Sequence, residues 1–260
     1  MMTTQFRFND GGGYEQFMGK WSQLAGTAFL DWLGAPSGVR WLDVGCGNGA
    51  FTELIVDRTA PASVAGIDPS DAQLAHARSR FTNGVVEFRQ GDAMSLPYDR
   101  ASFDVAVMPL VIFFLPDPAK GVAEMARVVR PGGLVSAYAW DMDGGGFPYE
   151  SLLGEMRAMN LPVPDPPSAD ASRTDVMRAL WAAAAEDIDT CAITVHRTFA
   201  DFDDYWATVL MAPSVGATLK EGGSNVDRLK AVMRAKLAAD SNGGITCAGT
   251  ANAIKGRVRR

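Results

Sequence analysis

Three aspartates and a glycine cluster are the residues whose types and spacing could bind a small ligand. Asp43, Asp68 and Asp92 each stand at the end of a stretch that predicts a β-strand. The glycines of Gly45–Gly49 follow Asp43 at alternate positions. Glycine permits a sharp turn and lets a ligand approach the bare backbone, so we expect a small polar ligand to bind at this turn.

The acidic residues favour a positively charged nucleoside over a dinucleotide. A carboxylate at Asp43 would repel a phosphate and attract a cationic group. Position 50 is Ala, where the dinucleotide-binding fingerprint needs its third glycine. Asp68 could accept hydrogen bonds from both hydroxyls of a ribose, although it could also be an ordinary turn aspartate. Asp92 could accept a hydrogen bond from an adenine amino group while Ala93 offers a backbone N–H, so the acids could line one trough for an adenosine.

Apolar runs alternate with helical patterns along the first half of the chain. The predicted strands cover about residues 39–44, 63–67, 85–90, 105–108 and 134–140. Because parallel neighbours need helical crossovers, this order predicts an α/β fold with a doubly wound, mostly parallel sheet. Residues 85–90 alternate between apolar and polar types, which is typical of an edge strand, whereas residues 105–108 are apolar throughout, as in a central strand.

Helices and an insertion flank these strands. Apolar residues recur at helical spacing over about 14–34, which predicts a helix with one buried face. Residues 141–187 contain a glycine run, a proline-rich loop and two predicted helices, and we expect this insertion after strand five either to cover a substrate or only to add packing. Late strands are predicted at 191–199 and near 245–258. We interpret 1–260 as a single domain with a helical cover (1–36), a core (37–140), the helical insertion (141–187) and a C-terminal part of the sheet (188–260).

Five short motifs follow one another over about residues 39–140. They are Leu42-Asp43-Val44-Gly45-Cys46-Gly47-Asn48-Gly49, Gly66-Ile67-Asp68-Pro69-Ser70, Gly91-Asp92-Ala93, Phe103-Asp104-Val105 and Arg127-Val128-Val129-Arg130-Pro131-Gly132-Gly133. With these motifs the chain resembles the class I S-adenosylmethionine-dependent methyltransferases, in particular the branch that includes the ubiquinone and menaquinone C-methyltransferases. The resemblance implies a Rossmann-like, seven-stranded sheet ordered 3-2-1-4-5-7-6 with strand seven antiparallel. It also implies S-adenosyl-L-methionine as the cofactor and a small molecule as the methyl acceptor.

The resemblance assigns parts of the cofactor to particular residues. It implies that Gly45 and Gly47 approach the methionine part, Asp68 the ribose, and Asp92 with Ala93 the adenine. The N-terminal helix resembles one that closes over the cofactor in such enzymes. The full prediction for cofactor contacts is Asp43, Gly45, Cys46, Gly47, Asp68, Pro69, Gly91, Asp92, Ala93, Met108, Tyr14 and Trp21.

The sequence shows no obvious catalytic base. Relatives in this branch often carry a histidine near the position of Phe113 or Phe114, and here both residues are aromatic and apolar. We predict that they form the wall of the substrate pocket, with simple core packing as the alternative. Asp141 and Asp143, just past strand five, are candidate bases, although solvated loop acids are common at such positions. An activated sulfonium needs alignment with its nucleophile in a dry pocket more than it needs a strong base.

Composition narrows the remaining possibilities. A net charge of -6 argues against a nucleic-acid-binding surface, and the basic residues near the C-terminus are interpreted as a solvated end. Three widely spaced cysteines suit a reducing compartment and offer no metal-ligand pair. The N-terminus lacks the pattern of a signal peptide, and the longest apolar run, 105–115, is too short to span a membrane, so we predict a cytoplasmic location. Monomer and homodimer both remain open.

Three functions are compatible with these observations. The first is a methyltransferase that acts by in-line displacement on a small acceptor. The second is a module that binds S-adenosylmethionine without turnover, which the apolar Phe113 and Phe114 keep open. The third is a nicotinamide-dependent oxidoreductase, which Asp43 and the missing third glycine oppose.

Overall fold

Seven strands form one sheet in the computed structural model, which describes residues 15–81, 84–212, 215–221 and 223–259. The strands are β1 (Arg40–Val44), β2 (Ser63–Asp68), β3 (Val86–Gln90), β4 (Phe103–Pro109), β5 (Val129–Trp140), β6 (Ala185–Phe199) and β7 (Ile245–Val258). Their spatial order is β3-β2-β1-β4-β5-β7-β6, which confirms the expected order. Neighbours from β3 to β5 are parallel, and β7 runs antiparallel to both β5 and β6.

Helices connect the strands and cover both faces of the sheet. A π-helical turn (Glu15–Gly19) precedes α1 (Lys20–Leu33) and is followed along the chain by α2 (Ala50–Thr59), α3 (Asp71–Arg80), α4 (Pro118–Val128), α5 (Glu150–Ala158), α6 (Thr174–Ala184), α7 (Phe202–Leu210), α8 (Val215–Glu221) and α9 (Ser224–Lys236). Side-chain hydrogen bonds cap the N-termini of several of these helices, including α3 and α4. Ser70 Oγ accepts from the backbone N–H of Gln73, and Asp117 accepts from that of Lys120 just before Pro118 begins α4.

The core lies around the central strands, where helices cover both faces. In β4 nearly every residue is buried, whereas β3 is half exposed at the edge of the sheet. This difference confirms the prediction made from the alternating and continuous apolar patterns. In the described part of the chain, no helix is both long and apolar enough to cross a bilayer.

Two boundaries differ most from the prediction. β5 begins at Val129 because Phe103 pairs with Val129, so the Pro131-Gly132-Gly133 sequence lies inside the strand. β6 begins at Ala185, so the predicted helical insertion is too long at its C-terminal end. Helix α6 lies against the sheet, where Trp181 Nε1 donates to the carbonyl of Val135 at 3.0 Å. The second helix of the predicted insertion therefore packs on the core.

The basic residues near the C-terminus are tied to the rest of the fold, although Arg257 and Arg259 are exposed to solvent as predicted. Lys255 and Arg257 belong to β7, and their side chains donate to the carbonyls of Trp32 and Gly132 at 2.8 Å and 2.9 Å. Arg259 donates to carbonyls at the end of α6. Charge patterning gave no sign of these contacts, because their acceptors are backbone carbonyls far away in sequence. Arg260 lies outside the described residues.

Candidate functional site

A cavity of about 410 Å³ opens where the parallel strands end. The residues that line it come mainly from the segments that follow β1, β2, β3 and β4. They are Gly45, Cys46, Gly47, Asn48, Ala50, Phe51, Ile67, Asp68, Pro69, Ser70, Gln73, Gly91, Asp92, Ala93, Met94, Pro109, Leu110, Val111, Phe114, Leu115, Pro116 and Tyr138, with Gly19, Ser22 and Gln23 from the N-terminal helical region. Ligand sites of open parallel sheets occur at this edge.

The turn after β1 is held in a conformation that requires glycine. Gly45, Gly47 and Gly49 have φ angles of 77°, 52° and 82°. The backbone N–H groups of Gly45 and Cys46 both donate to the carbonyl of Ile67, at 2.7 Å and 3.0 Å. A Cβ added to Gly47 would meet no atom within 4 Å. The backbone at Gly47 is therefore open to a ligand.

Asp68 ties this turn to β2. Its Oδ2 accepts from the backbone N–H of Gly47 at 3.0 Å, and its Oδ1 accepts from that of Ser70 at 2.9 Å. Burial raises the pKa of Asp68, and these two hydrogen bonds oppose that rise. An ionised carboxylate has about four lone-pair positions, so Asp68 retains the capacity to accept from two hydroxyl groups of a ligand.

Asp92 and Ala93 line the cavity next to Asp68, after the edge strand β3. Asp92 Oδ1 accepts from the backbone N–H of Met94 at 2.8 Å, which holds the segment in a tight turn. Asp92 is exposed and Ala93 is buried at the cavity wall. The second and third predicted acidic residues are thus brought together at one cavity.

Asp43 does not line the cavity, contrary to the expectation that it faces a cationic ligand. Its side chain is fully buried and points toward α2, where Thr52 Oγ1 donates to Oδ2 at 2.6 Å. Its Oδ1 has no hydrogen-bond partner in the described part of the chain. Burial raises the pKa of Asp43 to about 7, and the nearby charge of Asp68 adds to the rise. Strand position alone could not show that the cavity lies on the other side of the turn.

Several other predicted contacts also lie away from the cavity lining. Trp21 and Met108 have no exposed surface and belong to the core. Phe114 lines the cavity, whereas Phe113 is 4% exposed and packs into the core, because successive side chains of the turn Ile112–Phe114 point in different directions. Tyr14 lies outside the described residues.

The candidate bases Asp141 and Asp143 do not reach the cavity lining either. Asp141 Oδ1 accepts from the backbone N–H of Gly144 at 3.0 Å and so closes a turn, and Asp143 is exposed. Among the described residues, none from 141–187 lines the cavity. The insertion instead braces the wall, since Ser168 Oγ donates to the carbonyl of Leu115 at 2.7 Å.

Leu110, Val111 and Tyr138 belong to the cavity wall, although no sequence motif marks them individually. Leu110 has a φ of 59°, which is unusual for a residue with a branched side chain, and its N–H donates to the carbonyl of Tyr138 at 2.8 Å. This turn brings Val111 over Gly45 and leaves Tyr138 on the adjacent strand beside the cavity. Their roles depend on a pairing between strands β4 and β5, which periodicity does not reveal.

The cavity lining combines a few ionisable side chains with an apolar wall. Among the described lining residues, the ionisable side chains are Cys46, Asp68, Asp92 and Tyr138, and no histidine, lysine or arginine is present. Burial raises the pKa of the Cys46 thiol, so that thiol stays protonated at neutral pH. The site offers hydrogen-bond acceptors for hydroxyl and amino groups beside an apolar wall, and no histidine base among its described residues.

The strand order and the cavity together define the class of fold. A seven-stranded sheet of this order, with acids at the ends of two strands beside a glycine turn, is the Rossmann-like fold of the class I methyltransferases. Residues 42–137 match the family described as "Methyltransferase domain". The match covers the glycine turn, Asp68 and Asp92, so this part of the chain is similar to a methyltransferase domain.

Two curated relatives are named as methyltransferases, and a solved structure shares the fold. The chain is 38% identical over 106 residues to a demethylmenaquinone methyltransferase of Desulfitobacterium hafniense, covering 39% of this chain and 42% of the relative. It is 32% identical over 123 residues to the 2-phytyl-1,4-beta-naphthoquinone methyltransferase of Arabidopsis thaliana, covering 45% of this chain and 46% of that protein. Each match thus spans less than half of the relative's length. The fold also resembles the phosphoethanolamine N-methyltransferase 2 of Haemonchus contortus, with a TM-score of 0.62, 19% identity, and coverage of 99% of this chain and 58% of that one.

Proposed function

We propose that this protein transfers a methyl group from S-adenosylmethionine to a small, apolar, ring-bearing acceptor. One observation carries the proposal. The open glycine turn, Asp68 and Asp92 line the same cavity as the apolar side chains of Val111 and Phe114. Two relatives are named for quinone substrates, which is compatible with such an acceptor.

The residues present fit the cofactor. At Gly47 a ligand can approach the backbone where a side chain would otherwise stand. Asp68 would accept from the ribose hydroxyls, and Asp92 from the adenine amino group, while Ala93 would donate its backbone N–H. Gly45, Cys46, Pro69 and Gly91 would shape the pocket around these contacts.

The chain would act by alignment and exclusion of water. When bound, the cofactor would supply a methyl group activated by a positively charged sulfur, and that sulfur would keep the electron pair of the carbon–sulfur bond when the methyl group passes to the acceptor. Val111, Phe114 and Tyr138 would hold the acceptor against the apolar wall of the cavity and keep it dry. No histidine stands among the described lining residues to take the acceptor's proton, so that proton would leave to solvent before the acceptor enters the dry cavity.

The composition bears on where the protein acts and on what kind of substrate it takes. We propose a cytoplasmic location, because Cys46, Cys191 and Cys247 are all free, as is usual in a reducing compartment. The net charge of -6 favours a small-molecule substrate over nucleic acid.

The test is transfer of an isotope-labelled methyl group. The purified protein, with labelled S-adenosylmethionine, would be incubated with apolar quinols and phenols and, separately, with fractionated cell extract. We expect label in an organic-extractable product, and loss of that product with Asp68→Ala. Cofactor binding without transfer to any fraction would instead support the module that binds without turnover.

A further inference from the structure

The N-terminal cover segment, residues 17–23, contacts the cavity with one face only. Gly19, Ser22 and Gln23 line the cavity. Phe17 and Trp21 point the other way and are buried in the core. The segment includes the end of a π-helical turn, a rare conformation that occurs often at functional sites. Anything that holds the buried face therefore also sets the position of the cavity face.

Tyr149 holds the buried face with both its hydroxyl and its ring. Its hydroxyl donates to the carbonyl of Phe17 at 3.2 Å and accepts from Trp21 Nε1 at 3.2 Å. Its ring stacks on Phe17, with centroids 4.2 Å apart and an interplanar angle of 19°. Arg197 donates to the same Phe17 carbonyl at 3.2 Å. Two hydrogen bonds thus cross from one tyrosine to two positions of the cover segment.

Tyr149 lies just before α5, in the inserted region, and it does not line the cavity. It is 1% exposed. Burial raises the pKa of Tyr149 to about 12, so the hydroxyl keeps its proton and remains a donor at neutral pH. The insertion thus reaches the cavity only through the segments that it holds.

We infer that Tyr149 is a positioning residue for the cofactor: by fixing Phe17 and Trp21, it keeps Gly19, Ser22 and Gln23 closed over the cavity and slows release of S-adenosylmethionine. This inference rests on the proposed function, since it concerns the same site. It assigns to the insertion a role that differs from both covering the substrate and simple packing.

The test compares Tyr149→Phe with Tyr205→Phe. The first variant removes the hydroxyl and keeps the ring stack. The second removes a hydroxyl from an equally buried ring 5.9 Å from that of Tyr149, which has no part in the bonds to Phe17 and Trp21. Stopped-flow displacement would give the dissociation rate of S-adenosylmethionine for both variants and the wild type. Loss of a buried hydrogen bond predicts a roughly threefold to tenfold faster release from Tyr149→Phe, and no change in Tyr205→Phe.

Hydrogen exchange without cofactor supplies a second, independent measurement. We expect faster exchange in Tyr149→Phe at the amides of residues 18–23 and unchanged exchange in β1. Equal release rates for Tyr149→Phe and the wild type, or equal changes in both variants, would overturn the inference while leaving the proposed function intact. A wild-type protein that binds no S-adenosylmethionine would overturn the proposed function first, and unchanged exchange at 18–23 would then overturn the positioning role as well.

Discussion

The side chain of Val111 rests against the bare α-carbon of Gly45, so that a Cβ added there would lie 2.4 Å from Val111 Cγ2. Gly45 directly follows β1, and Val111 follows the neighbouring strand β4. Both residues line the cavity, and their contact explains why the turn needs a glycine at this position beyond its φ of 77°.

Gly45→Ala should therefore lower both stability and cofactor affinity. The left-handed backbone and the overlap with Val111 should together cost roughly 2–4 kcal/mol of unfolding free energy. Urea unfolding checks this value. Gly47→Ala is the matched control, because its Cβ would meet open space; it should cost about 1–2 kcal/mol and weaken cofactor binding by filling the ligand's approach. Equal losses of stability in the two variants would contradict the role of Val111.

The buried Asp43 should make stability depend on pH. Burial disfavours the charged carboxylate and so raises the pKa of Asp43 in the folded chain from an ordinary 3.8 to about 7. Between these values the folded chain holds a proton that the unfolded chain has released, so stability falls as pH rises through this window and levels off above it. Asp43→Asn cannot ionise and should lose less stability than the wild type between about pH 5 and pH 8, by roughly 1–3 kcal/mol.

Urea unfolding of the wild type and Asp43→Asn at these two pH values measures the difference. Asp57→Asn, an exposed change on α2, serves as the control and should follow the wild type. The same pH dependence in the wild type and Asp43→Asn would show that Asp43 does not titrate in this window.

Phe113 and Phe114 are adjacent but should behave differently when truncated. Phe113→Ala removes a core side chain and should cost roughly 3–5 kcal/mol of stability. Phe114→Ala should cost less, because Phe114 is only partly buried, and should instead raise the KM for the acceptor by widening the apolar wall. Thermal unfolding and steady-state kinetics separate the two effects. An unchanged acceptor KM in Phe114→Ala would place the acceptor elsewhere.

Sequence patterns predicted most of the sheet, because the burial of a strand determines which of its residues are apolar. A strand covered on both faces must be apolar throughout, so β4 was recognisable as central and β3 as an edge. Asp68 and Asp92 were also identifiable, because the ends of parallel strands share one edge of the sheet.

The patterns could not show which side of the glycine turn faces the ligand. Asp43 meets Thr52 instead, through a contact between a strand and a helix that only the folded chain reveals. Trp21 was placed at the cofactor by resemblance, yet its helical phase turns it to the core and brings its neighbours Ser22 and Gln23 to the cavity. The hydrogen bonds of Tyr149 join residues more than a hundred positions apart, so no local sequence pattern marks them.

We propose that Asp68 anchors S-adenosylmethionine beside the glycine turn, and calorimetric titration of the cofactor tests this role most directly. The protein should bind one equivalent, Asp68→Ala should lose at least about tenfold in affinity, as expected for charge-assisted hydrogen bonds, and Asp57→Ala should bind as the wild type does. Thermal unfolding of each variant would verify that it is folded. Undiminished binding by folded Asp68→Ala, or no binding by the wild type, would contradict the account.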